Sequence, residues 1–237
     1  MDKPAVDWFA LSPSRALLAA AGLALLGAVL VPRVAVRVFS ASVCARGFVG
    51  AGVAAGLLFW KSPEATYEVA DTIVRDRYGA LAQLIVACVG FLAVGISYGQ
   101  RTRREHVGEY FALLAACGGG MVFLVQATTL MTLFLGLEWF SICLYILCAI
   151  EIDRVGSLEA GLKYLIVGSF GSAVLLFGHW VLVADHLDPE GGSAPLLGTG
   201  SIQAITWMTS FLVLPDLIGL ALWVVGLVLL WRSALRP

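Results

Sequence analysis

Polar and charged residues divide this sequence into apolar stretches of the length that crosses a bilayer. A membrane-spanning helix needs about 20 mostly apolar residues. The long stretch 110–150 contains a single charge and is interrupted by polar residues around 126–129, which predicts two spans there. A Gly/Ser/Pro-containing loop and a possible interfacial segment, 202–214, precede a last span. The predicted spans are 16–32, 38–60, 78–100, two within 110–150, 161–184 and 216–231.

Composition supports an all-α integral membrane protein of about seven transmembrane helices. Of the 237 residues, 60% are hydrophobic and 13% are charged, and the mean hydropathy is +0.92. Soluble domains are about 45–50% apolar and about 25% charged, and disordered chains need low hydrophobicity. The sequence has 15 Lys and Arg residues and 16 Asp and Glu residues. Because it has no surplus of basic residues, its charge does not indicate nucleic acid as a partner.

The distribution of positive residues predicts the orientation of the chain in the membrane. With the N-terminus outside, the cytoplasmic segments hold nine Arg residues and the outer segments hold five Lys or Arg. Short loops rich in Lys and Arg stay in the cytoplasm. An odd number of spans agrees with an outer N-terminus and a cytoplasmic C-terminus.

Glu138 is the strongest candidate for a functional residue. It is the twelfth of 24 residues in the predicted span 127–150, near the bilayer midplane. A charged side chain there costs about 2.5–3.5 kcal/mol on insertion scales, so intramembrane carboxylates are functional candidates by default. The structural alternative is a protonated Glu138 that hydrogen-bonds to a neighbouring helix, or a Glu138 that a lipid or a partner subunit neutralises.

Three further polar groups accompany this candidate. Lys163 follows Glu159 by four residues, which places both side chains on one helix face, and an ordinary ion pair at the helix entrance is an equally good explanation. Ser141 and Tyr145 lie three and seven residues after Glu138 and share its face. They are candidates to extend a hydrogen-bond path or to hold water beside the carboxylate.

Motifs for other chemistry are missing from the sequence. The five cysteines lie in apolar stretches without C-x-x-C spacing, so we expect packing roles and no metal site. Gly118, Gly119 and Gly120 do not form a phosphate-binding loop and are expected to let two helices approach closely.

Three sequence segments carry a resemblance to a known family. The residues E-Y-F-A-L-L at 109–114, L-M-T-L-F-L-G-L-E-W-F-S at 130–141 and S-L-E-A-G-L-K-Y at 157–164 follow one another with Gly168 shortly after. The sequence resembles the antiporter-like membrane subunits of respiratory complex I, NADH:quinone oxidoreductase, and subunit N in particular. The resemblance is dense over 109–178 and continues loosely over 210–226, and the first hundred residues fit in pattern only.

The resemblance implies a function and a division of labour. It implies a proton-translocating subunit in the bacterial plasma membrane, bound to other membrane subunits of the complex. Glu138 and Lys163 are the implied proton-transfer residues, with Glu159, Ser141 and Tyr145 in support. NADH, flavin, iron–sulfur clusters and quinone are expected in partner subunits, and this chain is expected to bind no cofactor itself.

The resemblance also implies a domain organisation, with one departure. Residues 1–108 are predicted to form helices 1–3, and 109–237 the start of the antiporter-like repeat, helices 4–7. The family pattern has a lysine on the seventh helix, yet no lysine follows Lys163. The chain therefore resembles a C-terminally truncated subunit, and two alternatives stay open: a structural or assembly fragment that does not pump, and a cation/proton antiporter subunit.

Overall fold

Six long helices make up most of the structure. The computed structural model describes residues 8–32, 35–62, 65–68, 72–99 and 106–187, with side chains up to residue 179. Two compact units divide the chain at 168/169. The helices are α1 (Ser12–Leu30), α2 (Val36–Lys61), α3 (Arg77–Tyr98), α4 (Val107–Val125), α5 (Leu130–Cys148) and α6 (Val155–Leu187).

The predicted all-α membrane fold is confirmed. All six helices are long and apolar enough to cross a membrane, and each overlaps one of the first six predicted spans. The main differences lie at the ends: α6 begins six residues before the predicted span, and α5 is shorter than its span at both ends. The predicted seventh span and the interfacial segment lie outside the described residues.

A short β-hairpin, which the sequence analysis did not predict, joins α2 to α3. Strand β1 (Thr66–Glu68) pairs antiparallel with β2 (Ile73–Arg75). The hairpin continues onto the α4–α5 connection through a bridge between Ile73 and Ala127, and the Val74 amide donates to the Gln126 carbonyl at 2.8 Å. This hairpin end of the bundle therefore ties the α2–α3 connection to the start of α5.

The core of the first unit is formed mainly by α1, α2 and α4, with contributions from α3. The ring of Phe48, which is 2% exposed, lies against Gly90 of α3 and Gly118 of α4. A Cβ on Gly118 would meet the Phe48 ring at 2.6 Å, closer than side chains pack. Small residues let helix backbones approach in membranes, and Gly118 confirms that expectation for the glycine run of α4.

Two buried glutamines connect α4 to its neighbours near the hairpin end. Gln126 donates from Nε2 to the Ala10 carbonyl at 3.0 Å, just before α1 begins. Gln83 of α3 donates to the Val122 carbonyl at 3.4 Å. The last turn of α4 tightens, because the Gln126 amide donates to the Phe123 carbonyl, three residues earlier, and not to the Val122 carbonyl, four residues earlier. Gln83 thus satisfies a carbonyl that the helix leaves unpaired.

The described side chains of the second unit belong to α6 alone. Phe170, Leu176 and Phe177 are exposed there, as expected for an apolar helix surface in a membrane protein.

Candidate functional site

Helix α5 carries the candidate site, and a capping box fixes its first residue. The Thr132 amide donates to the Thr129 hydroxyl and the Thr129 amide donates to the Thr132 hydroxyl, both at 3.2 Å. These two bonds satisfy amides that would otherwise be unpaired at the helix start. The Thr132 hydroxyl also donates to the Thr72 carbonyl at 2.9 Å. The hairpin segment therefore anchors the first turn of α5.

One side of α5 packs closely on α4. A Cβ on Gly136 would lie 2.9 Å from the Leu124 Cα, and a Cβ on Gly120 would lie 2.8 Å from the Phe140 amide nitrogen. With these contacts the helices run antiparallel. At 100° per residue, Glu138 points about 160° away from Gly136. The contact with α4 thus turns Glu138 away from α4.

Glu138 is confirmed to lie near the middle of its helix. It is the ninth of the 19 residues of α5 and is half-buried. Its Oε1 atom is buried, and no described residue donates a hydrogen bond to it or forms an ion pair with the carboxylate. A buried polar oxygen without a hydrogen-bond partner is costly, so a hydrogen-bond donor such as water is needed at Oε1.

Ser141 and Tyr145 lie on the same side of α5 as Glu138. Ser141 is 7% exposed. The Tyr145 ring contacts the Tyr164 ring of α6 edge-on, with centroids 4.9 Å apart, and its hydroxyl lies against Gly168. Tyr145 therefore lies against the first half of α6, from the side of α5 that also carries Glu138 and Ser141.

Lys163 and Glu159 lie on a face of α6 that is turned away from its contacts with α5. Their side chains form an ion pair, Nζ to Oε1 2.6 Å, and are 71% and 56% exposed. Gly161, which packs against Ala149, marks the side of α6 that faces α5. Lys163 follows Gly161 by two residues, about 200° around the helix. The structure therefore does not bring Lys163 to Glu138.

The structure adds residues that the sequence analysis did not single out for the site. Gly168 leaves room for the Tyr145 hydroxyl, and Thr132 anchors α5 to Thr72. The seven-residue spacing of Gly161 and Gly168 was the available signal, since it places both on one helix face. Among the described residues, no group of three or more His, Cys, Asp or Glu side chains is arranged to hold a metal ion.

Comparison with known proteins concerns the segment that contains this site. Residues 127–186 match the family described as NADH:quinone oxidoreductase/Mrp antiporter, TM. This segment is similar to the antiporter-like family. It contains α5 with Glu138 and α6 through His186, so the resemblance stated from the sequence motifs is confirmed.

Curated relatives give the same result over a longer part of the chain. NADH-quinone oxidoreductase subunit N of Trichlorobacter lovleyi is 38% identical over 133 residues, which is 56% of this chain and 27% of the relative. Subunit N 2 of Roseiflexus castenholzii is 33% identical over 177 residues, 74% of this chain and 34% of the relative. The chain thus spans about a quarter to a third of the length of these antiporter-like relatives.

Proposed function

We propose that this chain acts as a membrane subunit of an NADH:quinone oxidoreductase and takes part in moving protons across the membrane. One observation carries the proposal: a carboxylate near the middle of α5 has a buried oxygen without a described donor. It lies within the segment that matches the antiporter-like family. Intramembrane carboxylates in such positions commonly belong to proton relays.

Glu138 is the proposed proton-transfer group. A protonated Glu138 can donate one hydrogen bond, and an ionised one can only accept. A water molecule that reaches Oε1 can therefore deliver or remove the proton, and the hydroxyls of Ser141 and Tyr145 extend this polar side of α5. Moving one charge against a membrane potential costs about 2.3 kcal/mol per 100 mV. Electron transfer elsewhere in the complex must supply that free energy.

Lys163 is the second proposed proton-transfer residue, and its ion pair defines its role. Glu159 holds the ammonium on the face of α6 that points away from Gly161 and Ala149. We place Lys163 in a step separate from the direct exchange at Glu138.

The remaining parts of the proposal concern location and partners. We infer a bacterial plasma membrane with the N-terminus outside, since the outer segments carry fewer positive residues. The partners are other membrane subunits of the complex and the lipid. NADH, flavin, iron–sulfur clusters and quinone belong to other subunits in this proposal.

The test uses membrane vesicles that contain the assembled complex. We expect Glu138→Gln to lower NADH-driven acidification by about a hundredfold or more, the contribution typical of an acid–base group, with the subunit still assembled. Glu151→Gln is the matched control, because Glu151 pairs with Arg154 at 2.9 Å outside the predicted spans. Unchanged proton pumping in assembled Glu138→Gln vesicles would overturn the proposal.

The same vesicles separate the alternatives. Lys163→Met is expected to reduce pumping and Lys163→Arg to retain the Glu159 pair without proton transfer, because guanidinium stays protonated. Loss of the whole complex on deletion, with normal pumping in Glu138→Gln, would indicate a structural role. Cation-dependent proton exchange without NADH would indicate an antiporter subunit.

A further inference from the structure

Tyr145 of α5 lies across two residues of α6 that are one turn apart. Its ring meets the Tyr164 ring at 86°, with centroids 4.9 Å apart. Its hydroxyl end lies against Gly168. The ring and the hydroxyl of one side chain thus contact successive turns of the facing helix.

The direction of this side chain follows from the helix order. Ala149 packs against Gly161 and Tyr145 against Gly168, so α6 advances toward the start of α5 as its residue numbers rise. Gly168 therefore lies nearer to the level of Glu138 along α5 than Tyr164 does. Helical side chains lean toward the N-terminus, in agreement with this placement. The Tyr145 hydroxyl therefore lies, along the α5 axis, on the side of the Tyr164 contact that is nearer to Glu138.

Only glycine leaves room for this arrangement. A Cβ on Gly168 would lie 2.7 Å from the Tyr145 Cζ and 2.9 Å from Cε1, and the hydroxyl oxygen would be closer still. Separations below 3.0 Å force a shift. The ring is held between Tyr164 and Gly168, so a methyl group at 168 must displace the hydroxyl from its present direction.

We propose that Gly168 is a positioning residue that directs the Tyr145 hydroxyl to receive protons exchanged at Glu138. This inference rests on the proposed proton-transfer role of Glu138. The Cα atoms of Glu138 and Tyr145 are separated by about 10 Å along the helix axis, from about 1.5 Å per residue. The lean of the tyrosine shortens the remaining gap, which Ser141 and water must bridge.

Proton transfer from Glu138 through Tyr145 leaves the tyrosine neutral. The O–H bond of protonated Glu138 breaks and its proton passes to a water molecule. The Tyr145 hydroxyl accepts a proton from that water while its own O–H bond breaks and releases a proton to the next water. A hydroxyl is both donor and acceptor, so it can perform both halves of this exchange. Reverse flow restores Glu138 by the same bonds.

The experiment compares three variants in vesicles with the assembled complex. We expect Gly168→Ala to lower the pumping rate by about tenfold to a hundredfold, because misplacement of a reacting group by about 1 Å can cost about a hundredfold, and to raise its solvent deuterium isotope effect. Tyr145→Phe keeps the ring and should give the same two changes. Gly156→Ala is the matched control on α6, because nothing lies within 4 Å of a Cβ there.

The combination with Tyr145→Phe distinguishes positioning from packing. In the double variant, Gly168→Ala should add little further loss of pumping, since no hydroxyl remains to be misdirected. A Gly168→Ala complex that pumps like Gly156→Ala, while Glu138→Gln does not pump, overturns this inference alone. Reduced assembly of Gly168→Ala with an unchanged isotope effect per assembled complex also overturns it. Normal pumping in Glu138→Gln instead overturns the proposed function.

Discussion

Replacing Gly136 by alanine tests the packing that orients Glu138. The added Cβ would lie 2.9 Å from the Leu124 Cα, 3.1 Å from its Cβ and 3.2 Å from its amide nitrogen. Two of these three atoms are backbone, so α4 and α5 must separate by about 0.5–1 Å to reach ordinary contact. A gap of about 0.5–1 Å forfeits about a quarter to a half of each dispersion contact, and overpacking typically costs about 1–3 kcal/mol.

The assay is thermal unfolding of the purified protein in detergent, in which a fluorescent dye that reacts with buried thiols as they become exposed reports unfolding. Gly22→Ala is the control, because Gly22 lies in the middle of α1 with nothing within 4 Å of a Cβ. Helix propensity should leave that control unchanged or stabilise it by up to about 1 kcal/mol. We expect Gly136→Ala to unfold at a lower temperature than the wild type. A Gly136→Ala protein as stable as Gly22→Ala would refute the close α4–α5 contact.

Three further predictions concern the same region. Thr132→Val should destabilise the protein by about 1–2 kcal/mol in thermal unfolding, because it removes the capping box and the bond to Thr72, and Thr132→Ser should restore most of it. The contacts of Gly120 with Phe140 and of Gly136 with Leu124 place Cys117 opposite Cys143 across α4 and α5. Copper-catalysed oxidation should therefore link the Cys117 and Cys143 peptides, as detected by mass spectrometry after digestion; linkage of Cys117 to the exposed Cys88 instead would contradict the register. Gln126→Ala should lower the free energy of unfolding by about 1–3 kcal/mol, and with it the unfolding temperature, since it leaves the buried Ala10 carbonyl unpaired. An unchanged unfolding temperature would argue against that bond.

Hydropathy was sufficient to predict the helices but insufficient to predict the hairpin. Charges and polar clusters mark the ends of α1 to α6 within a few residues, because a bilayer demands apolar length. The strands β1 and β2 have three residues each, too short for an alternating pattern. Their pairing depends on Ile73 reaching Ala127, a contact between segments far apart in sequence.

The site was predictable as far as residues on one helix were concerned. Glu138, Ser141 and Tyr145 share a side of α5 because helical periodicity alone decides it. The position of Lys163 required knowing which side of α6 meets α5, and that depends on the contacts of Gly161 and Gly168. The four-residue spacing of Glu159 and Lys163 is enough to predict their ion pair. Which way the pair faces relative to Glu138 depends on how α6 packs against α5.

The most direct test of the central claim is infrared difference spectroscopy of the assembled complex while NADH is being oxidised. If Glu138 exchanges protons during turnover, a carboxyl C=O band should change intensity, and the change should be absent in Glu138→Gln and present in Glu151→Gln. Exchange into deuterated water should shift the band, because the protonated carboxyl carries the exchangeable hydrogen. A turnover spectrum that is identical in the wild type and Glu138→Gln would contradict the account.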